Sequence, residues 1–175
     1  MSVQEQVFSN TVNMAERRIF SERFKPVYAD GMRLVEEAAA YLDGEGRVEA
    51  KRLSRLAATL YAAESMRLTT RLMQIASWLL LQRAANSGEM SRAQVVEEKS
   101  KVMLDTPSAS RQTVQWEELP AAFIELVDRS LKMQALVRRF DDEIYVKAAQ
   151  PQAEETRRNA ITDQMDLLRA AFGGR

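Results

Sequence analysis

Apolar residues recur every three to four positions along nearly the whole chain, and no run alternates with period two, so the pattern predicts helices and no strands. Six glycines and four prolines punctuate the segments. The first convincing helix runs from about Pro26 to Leu42. Tyr28, Met32, Val35, Ala39 and Leu42 share its inner face, and Gly44 and Gly46 are placed to stop it. Ser21 is a candidate cap for an earlier start, which would leave Pro26 inside the helix as a kink. Gly31, close to the apolar face, is either a tolerated helix glycine or a spot where a neighbouring helix backbone comes close. Residues 1–20 are polar with scattered apolar side chains, which reads as a mobile arm able to dock a short helix.

The second helix is the main element. Ser54 is placed to cap it, and no glycine or proline interrupts the chain from there to Asn86, which gives a rod of roughly 50 Å before Gly88 ends it. Ser91 and Gln94 match a capping box that opens a short helix through about Asp105, closed by Thr106 and Pro107. Residues 106–115 read as a loop. Pro120 then suits the first turn of a third long helix, whose inner face is Phe123, Val127, Ser130, Val137, Phe140 and Ile144 and which ends near Lys147. Beyond it the composition shifts to a linker around Pro151. Ile161, Met165, Leu168 and Phe172 follow at helical spacing, over a stretch short enough to fold mainly by docking onto something. The expected architecture is all-α: an antiparallel three-helix bundle over residues 1–147 with one additional short helix, and a flexible carboxyl-terminal tail over 148–175.

Stepping 100° per residue around the second helix, Met73, Ile75, Ala76, Trp78, Leu79, Leu80 and Leu81 fall on all sides. Three long helices are few to surround such a rod. A homodimer is therefore expected, with Leu72, Ile75, Trp78 and Leu79 at its interface; the alternative is that the short helix and the amino-terminal arm cover the extra face. Upstream, Glu64 lies one turn from Arg67 and two from Arg71. A local charge ladder explains that spacing, whereas a recognition role for the two arginines requires their face to be exposed.

Composition narrows the chemistry. The chain holds no histidine and no cysteine, which removes the commonest general base and metal ligand together with thiolate nucleophiles, zinc knuckles and iron–sulfur ligation. Adjacent acidic pairs such as Glu36-Glu37 and Glu117-Glu118 point about 100° apart on a helix and do not converge on one substrate atom. No phosphate-cradling loop is visible, and no cofactor is expected. An enzyme is therefore not expected. With 25 basic against 25 acidic side chains there is no basic excess to attract nucleic acid or an anionic membrane. The arginines of the second helix spread around its circumference without interleaved aromatic residues, so direct DNA binding is a weak rival reading. The longest apolar run, Trp78 to Leu81, is far below the roughly 20 residues of a membrane span. With no basic start and apolar stretch at Met1 to Phe8, a cytoplasmic location is expected.

Three stretches carry a resemblance: Leu34 to Gly44 (LVEEAAAYLDG), Tyr61 to Gln74 (YAAESMRLTTRLMQ) and Ala76 to Ala84 (ASWLLLQRA). They resemble the alphaproteobacterial family of regulators of CtrA degradation, closely from Leu34 to Met90 and more loosely through the third long helix. Pro26 and the amino terminus depart from the family pattern. The resemblance implies a small cytoplasmic dimeric helical bundle with a flexible tail, acting without catalysis as an adaptor for the ClpXP protease. It implies as partners a response regulator that primes the protease, the transcription factor CtrA among delivered substrates, and a cyclic-di-GMP-binding adaptor. Under that reading Ile161, Met165, Leu168 and Phe172 are either a helix-in-groove docking segment or a segment that folds back on its own bundle. A structural dimer without a delivery role is the remaining alternative.

Overall fold

A computed structural model describes the backbone over residues 3–111 and 114–146, and side chains over 21–145 apart from 92, 112 and 113. The described residues are helical or irregular, with no strand among them: α1 (Val3–Asp43), α2 (Glu45–Ala50), α3 (Arg55–Ser87), α4 (Arg92–Lys99) and α5 (Ala121–Asp141). A 3-10 turn at Val114–Trp116 and a π-helical turn at Asp142–Val146 complete the order. The all-α bundle with an extra short helix is as the periodicity predicts. The chain divides into two compact units, residues 1–134 and 135–175. In the second, α5 continues to Asp141 with Val137 and Phe140 buried.

Helix ends follow local chemistry. The Ser54 hydroxyl accepts the Ala57 amide at 3.3 Å to start α3, and Gly88, at φ 77°, ends it in the left-handed region that favours glycine. The Ser91–Gln94 capping box opens α4 with both reciprocal bonds formed. Two boundaries differ from the pattern-based expectation. Helix α1 begins at Val3, far upstream of Pro26, and runs through that proline; residues 3–25 contain no glycine or proline to interrupt it. Helix α4 stops at Lys99 instead of continuing to Asp105. Gly44 does end α1, but Gly46 lies inside α2, where a Cβ would fall 2.5 Å from Tyr61 Oη and 2.9 Å from the Tyr41 carbonyl oxygen. The missing side chain lets α2 fold tightly beneath the two tyrosines.

Side-chain pairings in the first unit fix the helix directions. Along α1, Tyr28 meets Arg83 and Gly31 meets Leu79 and Ile75, so α1 and α3 are antiparallel. Tyr41 stacks on Phe123 and Glu37 pairs with Arg129, so α1 and α5 are antiparallel as well. Between α3 and α5 the order is reversed: Tyr61 lies 4.5 Å from Phe123 and Arg71 bonds Ser130, so these two helices run the same way. A parallel neighbour needs a long return connection. The segment from Gly88 to Pro120 supplies it, carrying α4 and then an extended strap. Residues 101–108 of the strap alternate between exposed and partly buried, the period of an extended chain lying on a surface.

Candidate functional site

Two features of α3 stand out once the bundle is assembled: a buried polar clasp on its inner side and a largely apolar face without carboxylates on its outer side.

The clasp is built around Arg71, whose side chain is fully buried. Its Nε donates to the Thr106 carbonyl at 3.0 Å, Nη1 to Ser130 Oγ at 2.6 Å and Nη2 to Ser108 Oγ at 3.2 Å. One guanidinium thus ties α3 to the strap and to α5, and its planar fork of donors suits three acceptors at once. Glu64, two turns earlier and also fully buried, accepts from Ser108 Oγ at 2.8 Å, from the Ala109 amide at 2.9 Å and from Arg67 Nη1 at 2.5 Å. Thr106 Oγ1 donates to Gln74 Oε1 at 2.8 Å. Successive strap residues therefore meet Gln74, Arg71 and Glu64 in turn, so the strap runs antiparallel to α3. Arg111 then pairs with Asp128 of α5 and covers the Trp116 ring, whose Nε1 donates to the Ser110 carbonyl at 2.9 Å. Burial pulls the Arg71 guanidinium below its ordinary pKa, with Glu64 acting in the opposite sense. At the far end of the bundle, burial and then the 2.6 Å bond to Glu49 push the Tyr41 phenol up.

The charge-ladder reading of Glu64, Arg67 and Arg71 holds for Glu64 and Arg67, which pair within one turn. Arg71 is spent on the clasp instead and is not available to a nucleic acid. No local pattern announces this, because its acceptors lie 35, 37 and 59 residues away.

Leu72, Ile75, Trp78 and Leu79, expected at a pairing surface, are filled by the chain's own packing. Ile75 and Leu79 are wholly buried, Gly31 of α1 abuts them, and Phe24 lies 6.3 Å from Trp78. Gly31 does face α3, but what comes close is a side chain and not the helix backbone: Leu79 Cδ1 occupies the space a Cβ would need. Ile161, Met165, Leu168 and Phe172 lie outside the described residues.

The outward side of α3 carries Met66, Met73 and Leu80 at seven-residue spacing, exposed by 74%, 65% and 48%. That spacing holds one face of a helix with a drift of about 20° per repeat. Between these side chains stand small hydroxyl residues. Thr59, Thr69, Thr70 and Ser77 each donate to the carbonyl four residues back, at 2.8–3.0 Å. Their polar atoms already have partners within the helix, so covering them leaves no unmet donor. The only acidic residue of α3 is Glu64, and it is buried; the charges the helix shows outward are Arg55, Arg67 and Arg83.

Among the described residues no group of acidic side chains is placed to hold a metal ion, and no helix is long and apolar enough to cross a membrane.

Comparison with known proteins places this architecture. The chain belongs to the family described as a protein of unknown function, DUF1465, whose model matches residues 15–172. Among solved structures it is similar to RcdA from Caulobacter crescentus CB15, with 48% sequence identity and a TM-score of 0.58 over 70% of this chain and 91% of that one. No curated protein matches it.

Proposed function

We propose that this chain is a non-enzymatic adaptor that delivers cell-cycle regulators to the ClpXP protease by tethering. The observation that carries the proposal is the 48% identity to RcdA over nearly the whole of that protein. The helical bundle, stabilised by long-range polar contacts, supports a role as a binding platform.

The physics of such a role is economical. A protease that holds its substrate weakly gains when a second attachment makes capture intramolecular, with an effective concentration of order millimolar for a short flexible link. Residues 148–175 are proposed as that link: 28 residues of flexible chain have a root-mean-square reach of about 30 Å. Ile161, Met165, Leu168 and Phe172 are its proposed docking segment. The partners in this reading are the priming response regulator, CtrA or another delivered transcription factor, and a cyclic-di-GMP-binding adaptor, all met in the cytoplasm. Self-association belongs to the same reading, but through a surface other than the row Leu72, Ile75, Trp78 and Leu79, which the chain fills itself.

The test is reconstituted degradation with unfoldase, peptidase, primer and a candidate substrate. Adding this protein should accelerate loss of at least one substrate, and a chain ending at Lys147 should lose the tail-dependent part of that gain. Unchanged rates for every substrate tried would count decisively against the adaptor reading.

A further inference from the structure

We infer that the outward face of α3 is a docking surface for an acidic amphipathic α-helix of a partner protein; the inference rests on the adaptor reading for the partner's role, not for the surface itself. From Thr59 to Leu80 the face runs about 32 Å at 1.5 Å per residue. Its shape is that of a helix seat. Met66, Met73 and Leu80 leave intervals over Ala62, Thr69, Thr70 and Ser77, into which large side chains of a second helix interdigitate. Because the hydroxyls are bonded to their own backbone, burial costs no hydrogen bond. The helix offers no free strand edge, so an extended peptide gains nothing from the backbone here. Methionine makes the seat adaptable, since an unbranched polarizable side chain repacks against differently shaped partners.

Charge selects the occupant. Around this apolar row the outward charges of α3 are arginines alone: Arg55 at the amino-terminal end and Arg83 along one flank, whereas Arg67 is already paired with the buried Glu64. An incoming helix with aspartate or glutamate beside its apolar stripe complements them. A second copy of α3 does not, because it brings the same positive side chains and no exposed carboxylate. The seat is also small: about eight residues on one helix, against the roughly 20–30 per side of a standard stable interface, which suits a partner that binds and leaves.

The test uses the full chain labelled at its methionine methyl groups. The probe is a 20-residue helical peptide with leucine at positions 3, 7, 10, 14 and 17 and glutamate beside them. The Met66 and Met73 methyl signals should shift saturably with the acidic peptide, and far less with the same peptide carrying lysine for glutamate. Met73→Glu should weaken binding about tenfold or more, since it buries a carboxylate with no partner. Arg55→Glu should weaken it and flatten its salt dependence, while Val114→Glu, exposed by 70% on the 3-10 turn, should change nothing. Equal binding of both peptides, or unchanged affinity in a folded Met73→Glu chain, overturns the inference. So does a shift of the same methyl signals on concentrating the protein alone, with sedimentation showing two copies joined there. The degradation assay separates the two readings. Wild-type delivery that survives Met73→Glu for every substrate defeats the seat and leaves the adaptor, whereas peptide binding without delivery leaves the seat and defeats the adaptor.

Discussion

Replacing Arg71 by methionine removes the guanidinium but keeps most of the side-chain volume, so its cost is that of the clasp and not of a cavity. Three acceptors lose their donor: the Thr106 carbonyl, Ser108 Oγ and Ser130 Oγ. Breaking a buried charged network by deleting one member costs about 3–5 kcal/mol, chiefly through the polar groups left behind. The lower end applies here, because Glu64 keeps the Ala109 amide, the Ser108 hydroxyl and Arg67. About 3 kcal/mol corresponds to a melting temperature lower by roughly 6–12 °C for a chain of this size. Urea unfolding gives the free energy, and amide exchange at Ala109 reports the strap directly. Ala109 should exchange faster in the variant by far more than amides in the middle of α3. A stability within about 0.5 kcal/mol of wild type, with Ala109 exchange unchanged, would falsify the clasp as the strap's anchor.

Three further outcomes follow from the packing. Gly46→Ala should destabilise by about 1–3 kcal/mol in thermal melts, because a backbone carbonyl is among the atoms its Cβ meets. Gly31→Ala should stay within about 1 kcal/mol, since only the end of the Leu79 side chain must move and helix propensity favours alanine. The Arg129 guanidinium, bonded at 2.6 Å, holds the Glu37 carboxyl below its ordinary pKa. That stabilisation is present above the unfolded carboxylate value of about 4.3 and is lost as pH falls through the depressed native value. Arg129→Gln should return Glu37 toward the ordinary value in an NMR titration while changing stability by under ~1 kcal/mol, because both side chains are partly exposed.

What was legible in the sequence was local. Ser54, Gly88 and the Ser91–Gln94 box act through groups within a few residues, and helical spacing identified Phe123, Val127, Ser130, Val137 and Phe140, all buried. Topology was not legible, since helix periodicity carries no information on direction and the parallel course of α3 and α5 depends on the strap. The all-round apolar pattern of α3 led to the expectation of Leu72, Ile75, Trp78 and Leu79 at a pairing surface; within the chain Trp78 and Leu79 meet α1, while Met66 and Met73 look outward. Counting apolar residues around a helix says how many sides want burial, and only the neighbours' positions say which side goes without. Arg71 was hidden for the same reason, its acceptors being far along the chain.

The shared direction of α3 and α5 also bears on how the molecule comes into being on the ribosome. A nascent polypeptide that has emerged only as far as Gly88 already holds Arg71, yet none of the carbonyl and hydroxyl acceptors that later receive it. Until Ser130 is synthesised, that side of the central rod lacks its last acceptor, so closing of the bundle must await the chain's growth at least that far.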